Sequence, residues 1–423
     1  MTKIHILTGV QSKKLVYVFD FVFRQLLGID FEVTNDALAF EKSSHQAKLN
    51  YSKETIPLTI PIVTCSDYFA EFSMEEIPQI ESTFRFEEQQ SNFDLFAAIF
   101  FLIARVEEYQ PSKVDEHNRY LSSESLLTTK GLLARPIIDL WVQALGEHLN
   151  TYFSIPLQPP TYSSTSTIDV DHISAYKGKP FLRSMATMIR DLLSLKLAKL
   201  SARLGQDPFD TYAEIIRSND QLGYKPIFFI LTASRSPYDR SLPPSHKLFI
   251  DTVKDLAGGH PIGIHPSYKS NSNDKLVNQE ISQLATISDQ NITKSRQHYL
   301  KMSLPQTYRN LIYNGIEEDH SMGYADRVGF RAGTSQPFYW YDIEQDKVTS
   351  LKVVPFCMMD VTFNKYLNLD PDSVIDLIGK LVADLKAVGG HCSFIWHNSS
   401  FYKAEGWKGW DKVYIKLLQI ARP

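Results

Sequence analysis

A chain of 423 residues is longer than one ordinary hydrophobic core, so two domains are expected. With 43% hydrophobic and 22% charged residues it reads as globular, and a net charge of −4 gives no global attraction to nucleic acid. Cys65, Cys357 and Cys392 are its three cysteines, and they lack metal-type spacing; so sparse and odd a set argues against a disulfide framework and fits a reducing compartment.

The opening residues, MTKIHILTGVQSKKLVYVFDFVF, show no basic region followed by an apolar core and a small-residue cleavage site, so a cytoplasmic location is expected. KIHILTG and LTIPIVTC read as strands. The apolar run Leu95 to Ala104 is too short to span a bilayer and reads as a buried helix. Arg105, Glu107, Glu108, Asp115, His117 and Arg119 follow it, and such a cluster reads first as a structural ion-pair network. RPIIDLWVQALGEHLNTYF is a second helix. SIPLQPPTYSS, rich in Pro and Ser, marks a boundary that divides the chain into residues 1–160 and 161–423.

Beyond it the grammar changes. Short β-rich runs (STIDVD, KPIFFIL, HPIGIH, ITKSRQH, GIEED, RVGFR, LKVVPFCMMD and HCSFIWH) alternate with amphipathic helical stretches. Strands alternating with helices predict parallel pairing and an α/β fold, and so many units in this length suit a (β/α) barrel. The runs end in Asp169 and Asp171, His265, His298, Asp319, Arg331, Asp360 and His397. In a parallel barrel those ends share one face, where active sites are built.

The residue types suit one another. Asp and His are usual ligands of zinc and similar divalent ions. In a strand, Asp169 and Asp171 point the same way, so one can bind the ion while the other acts as a base. Arg331 can hold that base ionised by a charge-assisted contact, and His397 can serve as general acid.

In this order the motifs resemble the polysaccharide deacetylase (NodB-homology) superfamily: TIDVDH the first, GIHPSY the second, GFRAGTSQPF the third and FIWHNSS the last. The resemblance covers residues 161 to 423. It implies a distorted (β/α) barrel of NodB type behind a smaller mixed α/β N-terminal domain, like the companion domain of some bacterial proteins. It also implies a metal-dependent carbohydrate deacetylase acting on an acetylated glycan or glycolipid. Asp169 is then the catalytic base, Arg331 its contact, His397 the acid with Asp360 or Asp319 orienting it, and Asp171 and His265 hold a divalent metal ion, zinc first. The family's second motif normally carries another His four residues after the first, and Lys269 stands there. His298 is the first replacement as third ligand, and His172 the second. Two rivals stay open: a degenerate barrel that binds glycan without cleaving it, and a glycoside hydrolase on a similar barrel.

Two further features stand out. Trp340, Trp407 and Trp410 are candidates for a sugar-stacking platform or for core packing. From Tyr176 to Arg203, Lys177, Lys179, Arg183, Arg190, Lys196, Lys199 and Arg203 face Asp191 alone. That segment reads first as an amphipathic helix with a wet basic face, and second as a peripheral dock for an anionic membrane.

Overall fold

The computed structural model describes residues 3–54, 60–111, 113–178, 205–403 and 406–423. Most of the basic segment Tyr176–Arg203 therefore lies outside the described residues.

The first part of the chain builds a three-stranded parallel sheet in the order β2-β1-β3, from β1 (Lys3–Thr8), β2 (Asp30–Thr34) and β3 (Ala47–Tyr51). A small hairpin follows, β4 (Phe86–Glu87) with β5 (Gln90–Ser91). The helix Leu95–Ile103 buries every one of its residues, as its unbroken apolar run requires. Asp94 caps it by accepting from the Ala97 N–H at 3.0 Å.

The second part builds a nine-stranded sheet from β6 (Ser163–Val170), β7 (Ile227–Leu231), β8 (Ile262–His265), β9 (Lys294–Ser295), β10 (Glu318–Asp319), β11 (Phe338–Asp342), β12 (Lys347–Val353), β13 (Met358–Met359) and β14 (His391–His397). The order is β11-β12-β10-β9-β8-β7-β6-β14-β13, and every pairing is parallel except β11 with β12. β7 is buried throughout, which explains its continuous IFFIL run.

The ladder does not close into a barrel. Among the described residues the ladder ends at β11 and β13, which have one neighbour each. The strand expected at RVGFR is absent. Gly329 there has φ +129, and its backbone lies against the Leu133 carbonyl so closely that a Cβ would sit 2.2 Å from that oxygen. The Phe330 N–H donates to the same carbonyl at 2.8 Å. This stretch is drawn onto the N-terminal part of the chain, and the sheet continues instead through the hairpin β11–β12.

The two sheets lie on either side of residue 160, yet one apolar cluster runs from Ile4 to Ala421. Polar contacts cross the same seam. The Tyr17 hydroxyl donates to the Tyr339 carbonyl at 2.6 Å, and the Asp139 carboxylate accepts from Thr334 and Ser335.

The register of the central strands sets the site. Asp169 of β6 pairs with His397 of β14 on one side and with Phe229 of β7 on the other, and Leu231 pairs with His265 of β8. The C-terminal ends of β6, β8 and β14 thus finish at one level. The carboxylates are tolerated there because that edge opens into a cleft rather than into the core.

Candidate metal centre and active site

The cleft has a volume of about 370 Å³, and Asp169, Asp171, His265, His298 and His397 all line it. At its floor His265 Nε2 lies 3.2 Å from Asp171 Oδ1, His298 Nε2 lies 3.7 Å from the same oxygen, and His397 Nε2 lies 3.9 Å from Asp171 Oδ2. One donor atom each from Asp171, His265 and His298 falls within 4.8 Å of the others.

Each imidazole is aimed by its other nitrogen. His265 Nδ1 meets the Arg296 carbonyl, His298 Nδ1 meets Asp239 Oδ1 at 2.9 Å, and His397 Nδ1 meets Asp360 Oδ1 at 2.7 Å. A carbonyl or an ionised carboxylate only accepts, so each Nδ1 carries the hydrogen. In the neutral imidazole Nε2 then presents a lone pair to Asp171. Asp171 Oδ1 is itself buried without a hydrogen-bond donor. Lone pairs converging on a carboxylate oxygen repel unless a cation sits among them, so Asp171, His265 and His298 fit a divalent ion well.

Without an ion, protonated imidazoles would take its place beside Asp171. Burial alone would raise the Asp171 pKa, but the imidazoles of His298, His265 and His397 hold it well below the usual carboxylate range. Burial would lower those of His265 and His397. For His265, Asp169 and Asp171 outweigh it and raise the pKa; for His397, Asp360 with Asp171 and Asp169 pushes it up to about 10.

Asp169 sits beside this group, 4.0 Å from His265 Nε2. Its cationic neighbour is Arg296, with Nη1 3.4 Å from Asp169 Oδ1. Arg331 is elsewhere. It donates to Glu108 through Nε at 2.8 Å and Nη2 at 2.5 Å, within the buried network that also holds Arg105. Arg105, Glu107 and Glu108, from the charged cluster after the helix Leu95–Ile103, thus form an ion-pair network, and Arg331 belongs to it. Asp319 is also turned away from His397: it accepts from Ser295 and Ser321, so Asp360 is the carboxylate that holds His397.

His298 is the third member of the cluster with Asp171 and His265, and Lys269 is exposed. His172 lines the cleft but is not part of the three-residue cluster. Trp340 and Trp410 are buried, and Trp407 is half-buried beneath Lys365 Nζ, so none of the three lines this cleft.

Sequence reasoning missed Asp239 and Arg296. Asp239 lies in the loop after β7, beyond any strand-end signal, and is fixed by donors from Ser236 at 2.7 Å and the Tyr268 N–H at 3.0 Å. Arg296 was legible only as the residue two before His298. Asp239→Asn is expected to weaken metal affinity about 10–100-fold, because the His298 ring loses its anionic anchor. Titration with a competing chelator checks this, and unchanged affinity would remove Asp239 from the site.

A model of a family of unknown function (DUF7033) matches residues 4–154. No curated protein matches the chain. Among solved structures it is similar to the polysaccharide deacetylase Bc1974 from Bacillus cereus, at 15% identity and a TM-score of 0.32, covering 61% of this chain and 86% of that one. It is similar to Agd3, a carbohydrate deacetylase, at 9% identity and a TM-score of 0.39, covering 98% of this chain and 84% of that one. It is similar also to a 4-alpha-glucanotransferase from Thermococcus litoralis, at 12% identity and a TM-score of 0.37, covering 62% of this chain and 37% of that one. The functional reading rests on the side chains.

Proposed function

We propose that the chain is a metal-dependent hydrolase that removes acetyl groups from an amino-sugar-containing glycan or glycolipid. The observation that carries this reading is the set of three imidazoles whose anchored Nδ1 atoms leave Nε2 facing Asp171, next to the Asp169–Arg296 pair. Asp171, His265 and His298 would hold the ion, with zinc favoured by the two-His, one-carboxylate donor set. When bound, such an ion polarises the acetyl carbonyl and acidifies water.

The residues of the chain divide the remaining work. Asp169 accepts the proton of the attacking water, and Arg296, with Nη1 3.4 Å from it, orients it. The water oxygen bonds to the acetyl carbon, and the C–N bond breaks. His397 Nε2 gives its proton to the leaving nitrogen, with Asp360 fixing the ring. Acetate and a free amine result. In this reading residues 161–423 carry the reacting groups, and residues 1–160 are an accessory domain that reaches the cleft through Arg119. Among the described residues no helix is long and apolar enough to cross a membrane.

Metal analysis together with an acetate assay on N-acetylglucosamine oligomers tests the proposal. Bound metal and acetate release are expected. Reducing sugar released without acetate would move the chain to the glycoside hydrolases, and absence of both metal and turnover would leave a protein that binds glycan without cleaving it. His298→Ala is expected to lose metal about as readily as His265→Ala under the same dialysis. Retention of metal by the His298 variant alone would remove it from the ligand set.

A further inference from the structure

Above His298 the cleft wall is aromatic. The rings of Tyr238 and Tyr268 stack with centroids 4.0 Å apart, and Tyr299 meets both edge-on, at 5.7 and 5.5 Å. His117, from the N-terminal part, closes the group at 4.8 Å from Tyr299, with its Nδ1 3.3 Å from the Tyr268 hydroxyl. Lys301 Nζ lies 4.0 Å from the Tyr268 ring centre. Two of these rings are left open to solvent at the cleft: Tyr238 is 41% and Tyr299 36% exposed.

The backbone is strained to place one of them. Tyr299 has φ +62, and Leu300 follows at +51. For a bulky side chain the left-handed region is an outlier, which persists only where the surroundings over-determine it. The chain supplies that constraint from a distance. Arg119 Nη1 donates to the Tyr299 carbonyl at 2.7 Å, and Arg119 Nε is held by Asp115 at 2.6 Å. Asp115 also accepts the N–H groups of His117 and Arg119, both at 2.9 Å, so the turn that presents them is rigid. Packing alone does not explain a strained, clamped and half-exposed tyrosine next to the metal centre, with its ring 4.7 Å from that of His298.

We infer that Tyr238 and Tyr299, backed by Tyr268 and His117, form a stacking subsite for a pyranose ring of the glycan adjacent to the residue that reacts. The inference rests on the proposed deacetylase reading. A pyranose has an apolar C–H face and a rim of hydroxyls, and the wall matches both. Tyrosine faces take the first. Around them Arg119, Arg240 and Gln297 line the same cleft and offer donors to the second. The subsite is composite, since residues on both sides of residue 160 complete it.

The test is direct binding by calorimetry, with tetramers of N-acetylglucosamine and of N-acetylgalactosamine as probes. The full chain is compared with Tyr238→Ala and Tyr299→Gly, and metal content and melting temperature are measured on each. The wild type is expected to bind at least one tetramer, and each substitution to weaken it about fivefold or more with metal retained. Tyr299→Gly removes the left-handed strain, so its melting temperature is expected not to fall; weaker binding in that variant cannot then be assigned to unfolding. Equal affinity in all three proteins, or no binding of either tetramer by the wild type, overturns the subsite. Hydrolysis of p-nitrophenyl acetate by the wild type reports the chemistry separately. Tetramer binding without metal or ester hydrolysis would uphold the subsite and sink the deacetylase reading.

Discussion

Asp169→Asn is expected to keep its metal and lose about 10³-fold or more in turnover, whereas Asp171→Asn loses the metal as well. The two carboxylates are separated by one residue, Asp169 on β6 and Asp171 just past its end, but their surroundings differ. Asp171 meets three imidazole nitrogens and has an oxygen without a donor, so its negative charge is what a cation would neutralise. Asp169 is outside the three-residue donor cluster, and its neighbour is the guanidinium of Arg296. An amide at position 169 still accepts from Arg296 but cannot take a proton from water. It also leaves the buried guanidinium without its anion, so a stability loss of a few kcal/mol is expected alongside. Kinetics must therefore be referred to folded protein, with the folded fraction measured by thermal denaturation. Equal metal loss in the two variants, or turnover surviving in Asp169→Asn, would refute this division of labour.

Much of the site was legible because backbone geometry placed it. Side chains at the ends of parallel strands share a face, so Asp169, Asp171, His265 and His397 came together from their positions in the runs alone. His298 was legible from the Lys269 departure combined with the run ITKSRQH that it ends, although β9 itself stops at Ser295. What could not be read depended on contacts between distant segments. Asp239 sits in a Pro- and Ser-containing loop, and its aim toward His298 is set by Ser236 and Tyr268. RVGFR alternates apolar residues as a strand would, yet the approach of Gly329 to Leu133 decides its conformation. That same approach carries Arg331 to Glu108 and away from Asp169, and local patterning holds no trace of it. The extent of the barrel was not legible for a related reason: alternation of strands and helices specifies parallel pairing, but not whether the outer strands meet.

Glu108→Gln is expected to cost about 3–5 kcal/mol of folding stability at neutral pH, with Arg331→Gln costing a similar amount. Glu108 is buried between two guanidiniums: Arg331 donates to both its oxygens, and Arg105 Nε donates to Oε1 at 2.8 Å. Removing the carboxylate strands Arg331, whose remaining hydrogen bond among the described residues is to the Gly323 carbonyl at 3.1 Å, while Arg105 keeps Glu107 at 2.7 Å. Burial alone would raise the Glu108 pKa, but Arg331 and Arg105 lower it to about 2. A folded-state pKa below the unfolded value contributes stability that is fully present above the unfolded pKa, near 4.5, and is lost as pH falls through the folded one. The stability gap between wild type and Glu108→Gln should therefore stay constant from neutrality to about pH 5 and shrink between about 4.5 and 2, by about 3 kcal/mol in all. Urea unfolding at a series of pH values measures it, and a gap independent of pH across that window would show that the ion pairs do not carry the loss. The same network separates structure from catalysis. Arg331→Gln, corrected for folded fraction, is expected to keep kcat/KM within about threefold and its full metal content, because Arg331 touches neither Asp169 nor the imidazoles. Arg296→Gln is expected to lose turnover instead, and a reversal of that order would return Arg331 to the side of the base.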